Sequence, residues 1–349
     1  MSNRMTTLNF SHLYATTLAL CNQELDRNPM SPLIWSVRGY TLVYLGEHVE
    51  ALLSCDRALA LDQNLAHAWY SRGLALVALD HHAEALTALN KALELDPNRA
   101  EAWYNCGLAI AALGVAEEAL AAFNHAICLN PKLAGAWANR GLALASLQRY
   151  AEALLSYNRA LLLEPGYAKA WSNRGVSLAA LGRYEEALSS CNRALSANST
   201  LGAYWINLGN ILATLERYEE ALESFNRALD LEPNSAEALY NKGALFFKLG
   251  NYRETLLFCD QAIALEHNNA VYWQTRAITL YKLGQFVGSI FSYEQALELD
   301  SNLPQAWFGK GVAAYKIGHY AQAIACFAYA QALGLSDASK FISILSKKV

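Results

Sequence analysis

The sequence is poor in charge, in proline and in uninterrupted apolar runs. Asp, Glu, Lys and Arg make up 17% of the 349 residues, below the quarter usual in soluble chains, and 27 basic against 31 acidic residues give a net charge of −4. This balance argues against a polybasic nucleic-acid-binding protein. Seven prolines suit a helical chain. No run of 18 apolar residues lacks polar interruption, so no membrane-spanning helix is expected.

Cysteine is scarce as well. The seven cysteines are an odd number and form no CxxC pair. This argues against a disulfide scaffold and favours a reducing compartment. The segment from Met1 to Cys21 is interrupted by polar residues where a secretory signal needs a continuous apolar core. We therefore expect a cytoplasmic protein.

Tryptophan reveals an internal repeat. The eight tryptophans are spaced by 34 residues, apart from one gap of 68 whose midpoint is Leu239. They are Trp35, Trp69, Trp103, Trp137, Trp171, Trp205, Trp273 and Trp307. Every tryptophan thus lies at one phase of a 34-residue period, which we number position 4 of each repeat. Such a period is typical of stacked supersecondary units.

Other positions of the period are equally regular. Position 8 is glycine in eight repeats and alanine in one, and position 27 is alanine in all nine. Position 24 carries an aromatic residue, leucine or cysteine, and position 20 is mostly alanine. Positions 4, 8 and 11 share one face of a first helix, and positions 20, 24 and 27 share one face of a second. Each repeat is therefore predicted to be two helices that approach closely at small residues.

This pattern resembles the tetratricopeptide repeat (TPR) family. The resemblance covers Pro32 to Asp337 as nine contiguous repeats, which start at residues 32, 66, 100, 134, 168, 202, 236, 270 and 304. It implies an all-α fold: an α-solenoid in the form of a right-handed superhelix of nine helix-turn-helix repeats. Residues 1–31 are predicted to be an N-terminal helix, a degenerate half repeat that serves as a cap. Residues 338–349 are predicted to be a C-terminal capping helix.

Repeats seven and eight depart from the pattern. They carry Leu239, Thr255, Ala277 and Ser289 at positions that other repeats fill with tryptophan, alanine or glycine. We interpret these departures as a looser joint, or as a patch shaped by something other than stacking.

Catalytic and metal-binding motifs are not evident. Repeats and caps leave no room for a catalytic domain, and no P-loop, HExxH or GxSxG motif stands out. His48 and His82 share position 17, beside His81, but tyrosine holds that position in most later repeats. We interpret the histidines as turn residues and the position-24 cysteines as core residues. No enzymatic activity, cofactor or metal is expected.

Asparagine forms a row at position 6. In the TPR family, positions 2, 5, 6, 9, 12 and 13 of the first helices line a concave groove. Five consecutive repeats carry Asn105, Asn139, Asn173, Asn207 and Asn241 at position 6, although asparagine within a helix costs about half a kcal/mol relative to alanine. An amide can donate to and accept from a peptide bond at once. The row resembles the asparagine row of the O-linked GlcNAc transferase superhelix, which implies binding of an extended peptide. Copying of one ancestral asparagine by duplication is the alternative.

Rings and lysines begin where the asparagines end. Positions 12 and 13 become Phe247-Lys248, Tyr281-Lys282 and Tyr315-Lys316, while Tyr240 and Phe308 occupy position 5. Such a row suits an acidic or aromatic peptide. The alternative is packing of the rings against the next helix, with the lysines extending to water.

One familiar TPR use is not expected. Chaperone-binding members hold a C-terminal carboxylate with lysine, arginine and asparagine side chains on three consecutive repeats. Asn210 and Asn241 match the amides, but Ile206, Val271 and Thr275 stand where the cations are needed.

The sequence therefore predicts a non-catalytic adaptor that binds a protein or peptide client in its groove, and no nucleic acid. The alternative is a self-associating structural scaffold, or an assembly factor for a larger complex.

Overall fold

The computed structural model describes residues 2–345, with side-chain surroundings from His12 onward. Every regular element in this stretch is an α-helix. The helices are α1 (Ser2–Arg27), α2 (Pro32–Leu45), α3 (His48–Leu61), α4 (Ala66–Ala78), α5 (His82–Leu95), α6 (Ala100–Ala112), α7 (Ala116–Leu129), α8 (Ala134–Ser146), α9 (Tyr150–Leu163), α10 (Ala168–Ala180), α11 (Tyr184–Ala197), α12 (Gly202–Thr214), α13 (Tyr218–Leu231), α14 (Ala236–Lys248), α15 (Tyr252–Leu265), α16 (Ala270–Lys282), α17 (Phe286–Leu299), α18 (Pro304–Lys316), α19 (Tyr320–Ala332) and α20 (Ala338–Leu345). The predicted all-α fold of consecutive helix pairs is confirmed.

The chain forms two compact units, which meet in sequence between Arg183 and Tyr184. We call them the N-terminal unit (α1 to α10) and the C-terminal unit (α11 to α20). In each unit, the first and second helices of a repeat pack along their length, as α8 packs on α9 and α12 on α13. Alanine at position 27 is at most 1% exposed throughout, which confirms its place in the core.

Close approach within a pair depends on glycine at position 8. A Cβ atom built on Gly141 would lie 2.6 Å from the Tyr157 ring, and one on Gly209 would lie 2.6 Å from the Phe225 ring. Both rings are at most 1% exposed and cannot move outward. The glycine and the large residue at position 24 are therefore one packing unit.

Repeat eight makes space for its position-24 ring in a different way. Ala277 stands at position 8, and the Tyr293 ring instead lies against Gly309 of the next repeat, where a Cβ atom would collide with it. Ser289 is fully buried and donates to the Ala277 carbonyl oxygen at 2.8 Å. Compensating substitutions thus keep repeat eight packed, while the looser joint across repeats seven and eight stays a prediction. The asparagine row cannot continue to Gly309 because Tyr293 needs that space.

Tryptophan joins eight of the nine repeats to the loop before them. All eight indole nitrogens donate to the backbone carbonyl oxygen six residues earlier, at 2.9–3.1 Å. Trp171, for example, donates to the Pro165 carbonyl at 2.9 Å. The tryptophans are half-buried rather than enclosed, because one edge of each indole must reach this loop. The tryptophans therefore connect a repeat to the preceding loop by a hydrogen bond and also pack against neighbouring side chains.

The turn inside each repeat needs a left-handed residue. Glycine provides it at Gly46 and Gly182, among others, but Asp80, Gln148 and Glu216 adopt φ of 59–60° at the equivalent position. A side chain in this conformation is strained by roughly 1–2 kcal/mol. Ser31 precedes Pro32 at the N-cap of α2, but its side chain makes no capping hydrogen bond.

Candidate functional site

Two asparagines of the row in the N-terminal unit, Asn105 and Asn139, are hydrogen-bonded within the protein. Asn105 is 9% exposed, and its Nδ2 donates to the Glu101 carbonyl one turn earlier at 2.7 Å. Asn139 is half-buried, and its Nδ2 donates to the Gly135 carbonyl at 2.9 Å and to the Tyr104 hydroxyl at 3.3 Å. Asn105 is therefore largely buried and bonded to its own helix, and its role in binding a peptide stays a prediction. Asn139 and Asn173 remain half-buried at the surface of α8 and α10.

A cleft opens beside Asn139. It has a volume of about 570 Å³ and is predominantly apolar, with walls from α6, α7 and α8. Its lining includes Ala111, Val115, Ala116, Glu117, Phe123, Asn139, Leu142 and Ser146. Repeat three alone has alanine at both position 12 and position 17, so two side chains that fill this space in other repeats are missing. The shared repeat pattern does not indicate this cleft, and its signal in the sequence is Ala116 at a position that the other repeats fill with tyrosine, histidine or phenylalanine.

The polar groups at the cleft are neutral donors and acceptors, with one carboxylate. Tyr104 lies behind this lining as an acceptor for Asn139, and burial raises the pKa of its hydroxyl to about 12. The Ser146 hydroxyl donates to the Ala143 carbonyl at 2.8 Å. Because the bonds observed for Asn139 use its nitrogen, its Oδ1 is the atom suited to accept from a ligand.

The C-terminal unit carries the rest of the predicted site. Asn207 and Asn241 are half-buried on α12 and α14, and Asn210 is exposed one turn after Asn207. Tyr240 stacks on Tyr272 with ring centroids 4.7 Å apart, and its hydroxyl lies 3.2 Å from the Thr275 hydroxyl. Tyr240 is thus anchored by the next repeat rather than projecting alone.

The predicted row of rings packs largely against its own repeats. Phe247 contacts Tyr252 at 5.4 Å, Tyr281 contacts Phe286 at 5.4 Å and Tyr315 contacts Tyr320 at 5.8 Å between ring centroids. Phe308 lies between Phe327 and Phe341, each 5.3 Å away, so α20 covers it. These contacts favour the packing alternative for the rings, because each has an internal partner.

The three lysines of that row remain exposed. Lys248, Lys282 and Lys316 are the last residues of α14, α16 and α18. A cation there is favoured by the negative end of the helix dipole. The side chains form a basic series on the C-terminal unit.

An arginine row, missed by the sequence analysis, ties repeats together. Position 7 is arginine or lysine in seven of nine repeats. Arg140 donates through Nε to Asn124 of the preceding repeat at 2.7 Å and through NH1 to Ser156 of its own repeat at 2.6 Å. Its guanidinium also lies 5.9 Å from the Trp137 ring centroid. The signal was the 34-residue recurrence of a cation three residues after tryptophan.

The described residues offer little for metal or membrane chemistry. Between residues 2 and 345, no cluster of three or more His, Cys, Asp or Glu side chains could hold a metal ion. In the same stretch, no helix combines the length and apolarity needed to cross a bilayer. Cys128 is exposed, whereas the other six cysteines are buried. Burial raises the pKa of Cys55, Cys191 and Cys259 to about 12, which suits core residues rather than nucleophiles.

Family models match most of the array. The model described as TPR repeat matches residues 81–114, 209–250 and 277–318, and two models described as tetratricopeptide repeat match residues 138–201 and 236–269. Together these matches cover more than half of the chain. The chain belongs to the tetratricopeptide repeat family. TPR proteins generally mediate protein–protein interactions, and the fold is typically that of a non-catalytic adaptor. No curated protein matches the sequence.

Solved structures share this TPR fold at low identity. The APC/C hetero-tetramer Cut9–Hcn1 matches with a TM-score of 0.62 and 16% identity over 89% of this chain and 62% of that one. A TPR protein from Parabacteroides merdae matches with a TM-score of 0.55 and 19% identity, over 71% of this chain and 98% of that one. PilF of Pseudomonas aeruginosa matches with a TM-score of 0.54 and 18% identity, over 62% of this chain and 97% of that one. This chain thus spans less than two thirds of the Cut9–Hcn1 chain, and these likenesses concern the fold alone.

Proposed function

We propose that this TPR protein is a non-catalytic adaptor, and that its N-terminal unit binds an extended segment of a partner protein. The observation that carries the proposal is the 570 Å³ cleft beside Asn139, which joins an apolar floor to an amide on a first helix. A pocket of this size, mostly apolar with few polar groups, is the usual form of a specific side-chain site.

The internal packing of other repeats indicates what fits the cleft. In repeats seven, eight and nine, a ring at position 12 and a ring at position 17 contact each other in the equivalent place. Repeat three has Ala111 and Ala116 there. An aromatic side chain of the partner is therefore the best match in shape and chemistry.

Asn139 and Asn173 supply contacts to the partner's backbone. First helices of adjacent repeats lie about 10 Å apart, and an extended chain advances about 3.3 Å per residue. One amide therefore meets every third residue of a bound segment. A neutral hydrogen bond contributes about 1 kcal/mol, so Asn139→Ala should weaken binding roughly fivefold.

Peptide selection tests this function directly. The full chain is used to select binders from a library of random ten-residue peptides, and an aromatic residue should be enriched. Ala116→Tyr installs the tyrosine found at position 17 of most later repeats and should abolish this selection. Ala151→Tyr adds the same ring at an exposed site on α9 and serves as the control. Selection of identical peptides by Ala116→Tyr would refute the proposal.

The C-terminal unit is proposed to favour acidic segments. Lys248, Lys282 and Lys316 are exposed and follow Asn207 and Asn241 along the array. Opposite charges raise association rates and specificity. Changing the three lysines to glutamate should remove binding of acidic peptides and leave neutral ones unaffected. Equal loss of both classes would contradict a selective contact.

Self-association is the second candidate. Ile344 is 57% exposed and Phe341 is 38% exposed on α20, so this helix presents apolar surface after covering repeat nine. Light scattering across concentration, with Phe341→Ser and Ile344→Ser in one variant, tests it. A mass that stays monomeric in the parent protein removes this alternative.

A further inference from the structure

Arginines at position 7 contact the same three groups in several repeats. These are a side-chain oxygen at position 25 of the preceding repeat, the serine at position 23 and the tryptophan at position 4. Arg140 and Arg276 each donate through Nε to an oxygen at position 25 of the preceding repeat, at 2.7 and 2.6 Å. Each also donates through NH1 to the position-23 serine of its own repeat, at 2.6 Å. Arg38 makes the corresponding pair of contacts with Asn22 and Ser54.

The serine in this arrangement is prepared to accept. Ser156 and Ser292 each donate their own hydroxyl to the carbonyl one turn earlier, at 3.2 and 2.9 Å. Their oxygen lone pairs then face the guanidinium. The third group is the position-4 tryptophan, whose ring centroid lies 5.8 Å from the Arg276 guanidinium carbon.

Repeat six keeps all three groups and lacks the arginine. Asn192 stands at position 25 of the preceding repeat, Ser224 at position 23 and Trp205 at position 4, whereas position 7 is Leu208. Ser224 donates to the Glu220 carbonyl at 2.8 Å, as the other serines do one turn back. A cleft of about 220 Å³ lies here in the C-terminal unit, lined by Leu188, Asn192, Trp205, Leu208, Leu212, Arg217, Glu220, Glu223 and Ser224.

Charge in the cleft wall is negative overall. Arg217 forms two hydrogen bonds of 2.7 Å to the Glu220 carboxylate, which neutralises that pair. Glu223 adds a further carboxylate. The wall therefore carries one net negative charge, which complements a cation.

We propose that the cleft between Asn192, Trp205 and Ser224 binds an arginine side chain presented by a partner protein. The guanidinium takes the place that the position-7 arginine fills in other repeats, with Asn192 Oδ1 and Ser224 Oγ as acceptors and the Trp205 ring beneath it. Lysine fits less well, because an ammonium lacks the planar fork that reaches two separated acceptors. Lys310 of repeat nine illustrates this: it contacts Glu294 at 3.0 Å and lies over Trp307, where position 23 is Cys326 rather than serine.

Repeat three shows how a repeat looks when this site is simply lost. Its position 7 is Cys106, and its position 23 is Ala122 rather than serine. Both side chains are buried. Repeat six differs because it retains the serine and adds the Glu223 carboxylate at position 22, where no other repeat has an acidic residue. The inference is independent of the cleft beside Asn139, which lies in the other unit.

A titration of the full chain tests the proposal. The probe is the peptide acetyl-Gly-Arg-Gly-amide, with citrulline and lysine versions as controls, and binding is followed by the indole N–H signal of Trp205. Trp205→Phe assigns that signal. The arginine peptide should shift it with millimolar affinity, the lysine peptide several-fold less, and the uncharged citrulline peptide not at all.

Variants distinguish the site from general attraction to an acidic surface. Leu208→Arg supplies the guanidinium from within, as in five other repeats, and should abolish binding; Leu208→Met keeps the volume without donors and should bind as the parent does. Ser224→Ala and Asn192→Ala should each weaken binding about fivefold. The proposal is overturned if citrulline binds equally, if Leu208→Arg leaves affinity unchanged, or if about 10 mM arginine peptide causes no shift.

Discussion

Gly141→Ala probes the contact on which each helix pair depends. The added Cβ atom would lie 2.6, 2.8 and 2.9 Å from three carbons of the Tyr157 ring. Tyr157 is 0% exposed, so the ring cannot move toward solvent. Overpacking of this kind costs typically 1–3 kcal/mol, whereas replacing glycine by alanine within a helix returns about 1 kcal/mol. Because the collision involves a rigid ring, we expect the upper end of the overpacking range, about 3 kcal/mol, and therefore a net loss of about 2 kcal/mol.

Urea denaturation followed by circular dichroism measures this loss. The comparison requires that the slope of the unfolding free energy against urea concentration is the same in the variant and the parent. Gly166→Ala is the matched control, because a Cβ atom there has no neighbour within 4 Å. It should leave stability unchanged or raise it by up to about 1 kcal/mol. If Gly141→Ala is as stable as Gly166→Ala, the packing argument is wrong.

Repeats eight and nine suggest a rescue. There an alanine at position 8 coexists with a tyrosine because Gly309 at position 6 of the next repeat makes room. The equivalent change in the N-terminal unit is Asn173→Gly. We expect the effect of this change on the free energy of unfolding to be more favourable in the Gly141→Ala variant than in the parent protein. A double-mutant cycle with a favourable coupling above about 0.5 kcal/mol would support this account, and additivity would refute it.

The other predictions concern the loops, the turns and the thiols. Trp171→Phe should cost about 1 kcal/mol through loss of the hydrogen bond to the Pro165 carbonyl, as measured by urea denaturation; an unchanged midpoint would show that the bond contributes nothing. Glu216→Gly should stabilise by up to about 1 kcal/mol because φ there is 59°, and a lower melting temperature would contradict this. A maleimide should label exposed Cys128 in the folded protein and leave Cys191 unmodified, as read by mass spectrometry. Since burial raises the pKa of Cys191 to about 12 from 9.0, its contribution to stability is complete below pH 9 and falls as pH rises toward 12; constant stability over that range would count against it.

The sequence predicted the repeated framework well because its determinants are local. Glycine at position 8, alanine at position 27 and tryptophan at position 4 each act within one or two helices, and a fixed period makes them visible. The contacts of individual side chains were harder to predict from the sequence. The period placed tryptophan on the same helix face as positions 8 and 11, but it did not indicate the hydrogen bond to a loop carbonyl that leaves Trp137 half-buried.

The sequence located the helices that carry the asparagine row, but not the contacts that its side chains make, and binding of a peptide by the row stays a prediction. The asparagine period located α6 and α8 as the relevant helices, but it could not show that Glu101 and Tyr104 already accept from the Asn105 and Asn139 amides. Those contacts depend on side-chain rotamers and on the neighbouring repeat.

The clefts were not predicted for a related reason. Each arises at a residue that departs from the repeat pattern, whereas the prediction used the residues that the repeats share.

The indole hydrogen bonds have a consequence for how the protein is made. Each one spans six residues, and the arginine bonds described above span 16. Contacts so near in sequence close small loops at little entropic expense, which favours rapid folding. A repeat emerging from the ribosome can therefore dock on its predecessor before the rest of the chain is synthesised. For the same reason, evolution can add or delete a whole 34-residue repeat without changing contacts between distant residues.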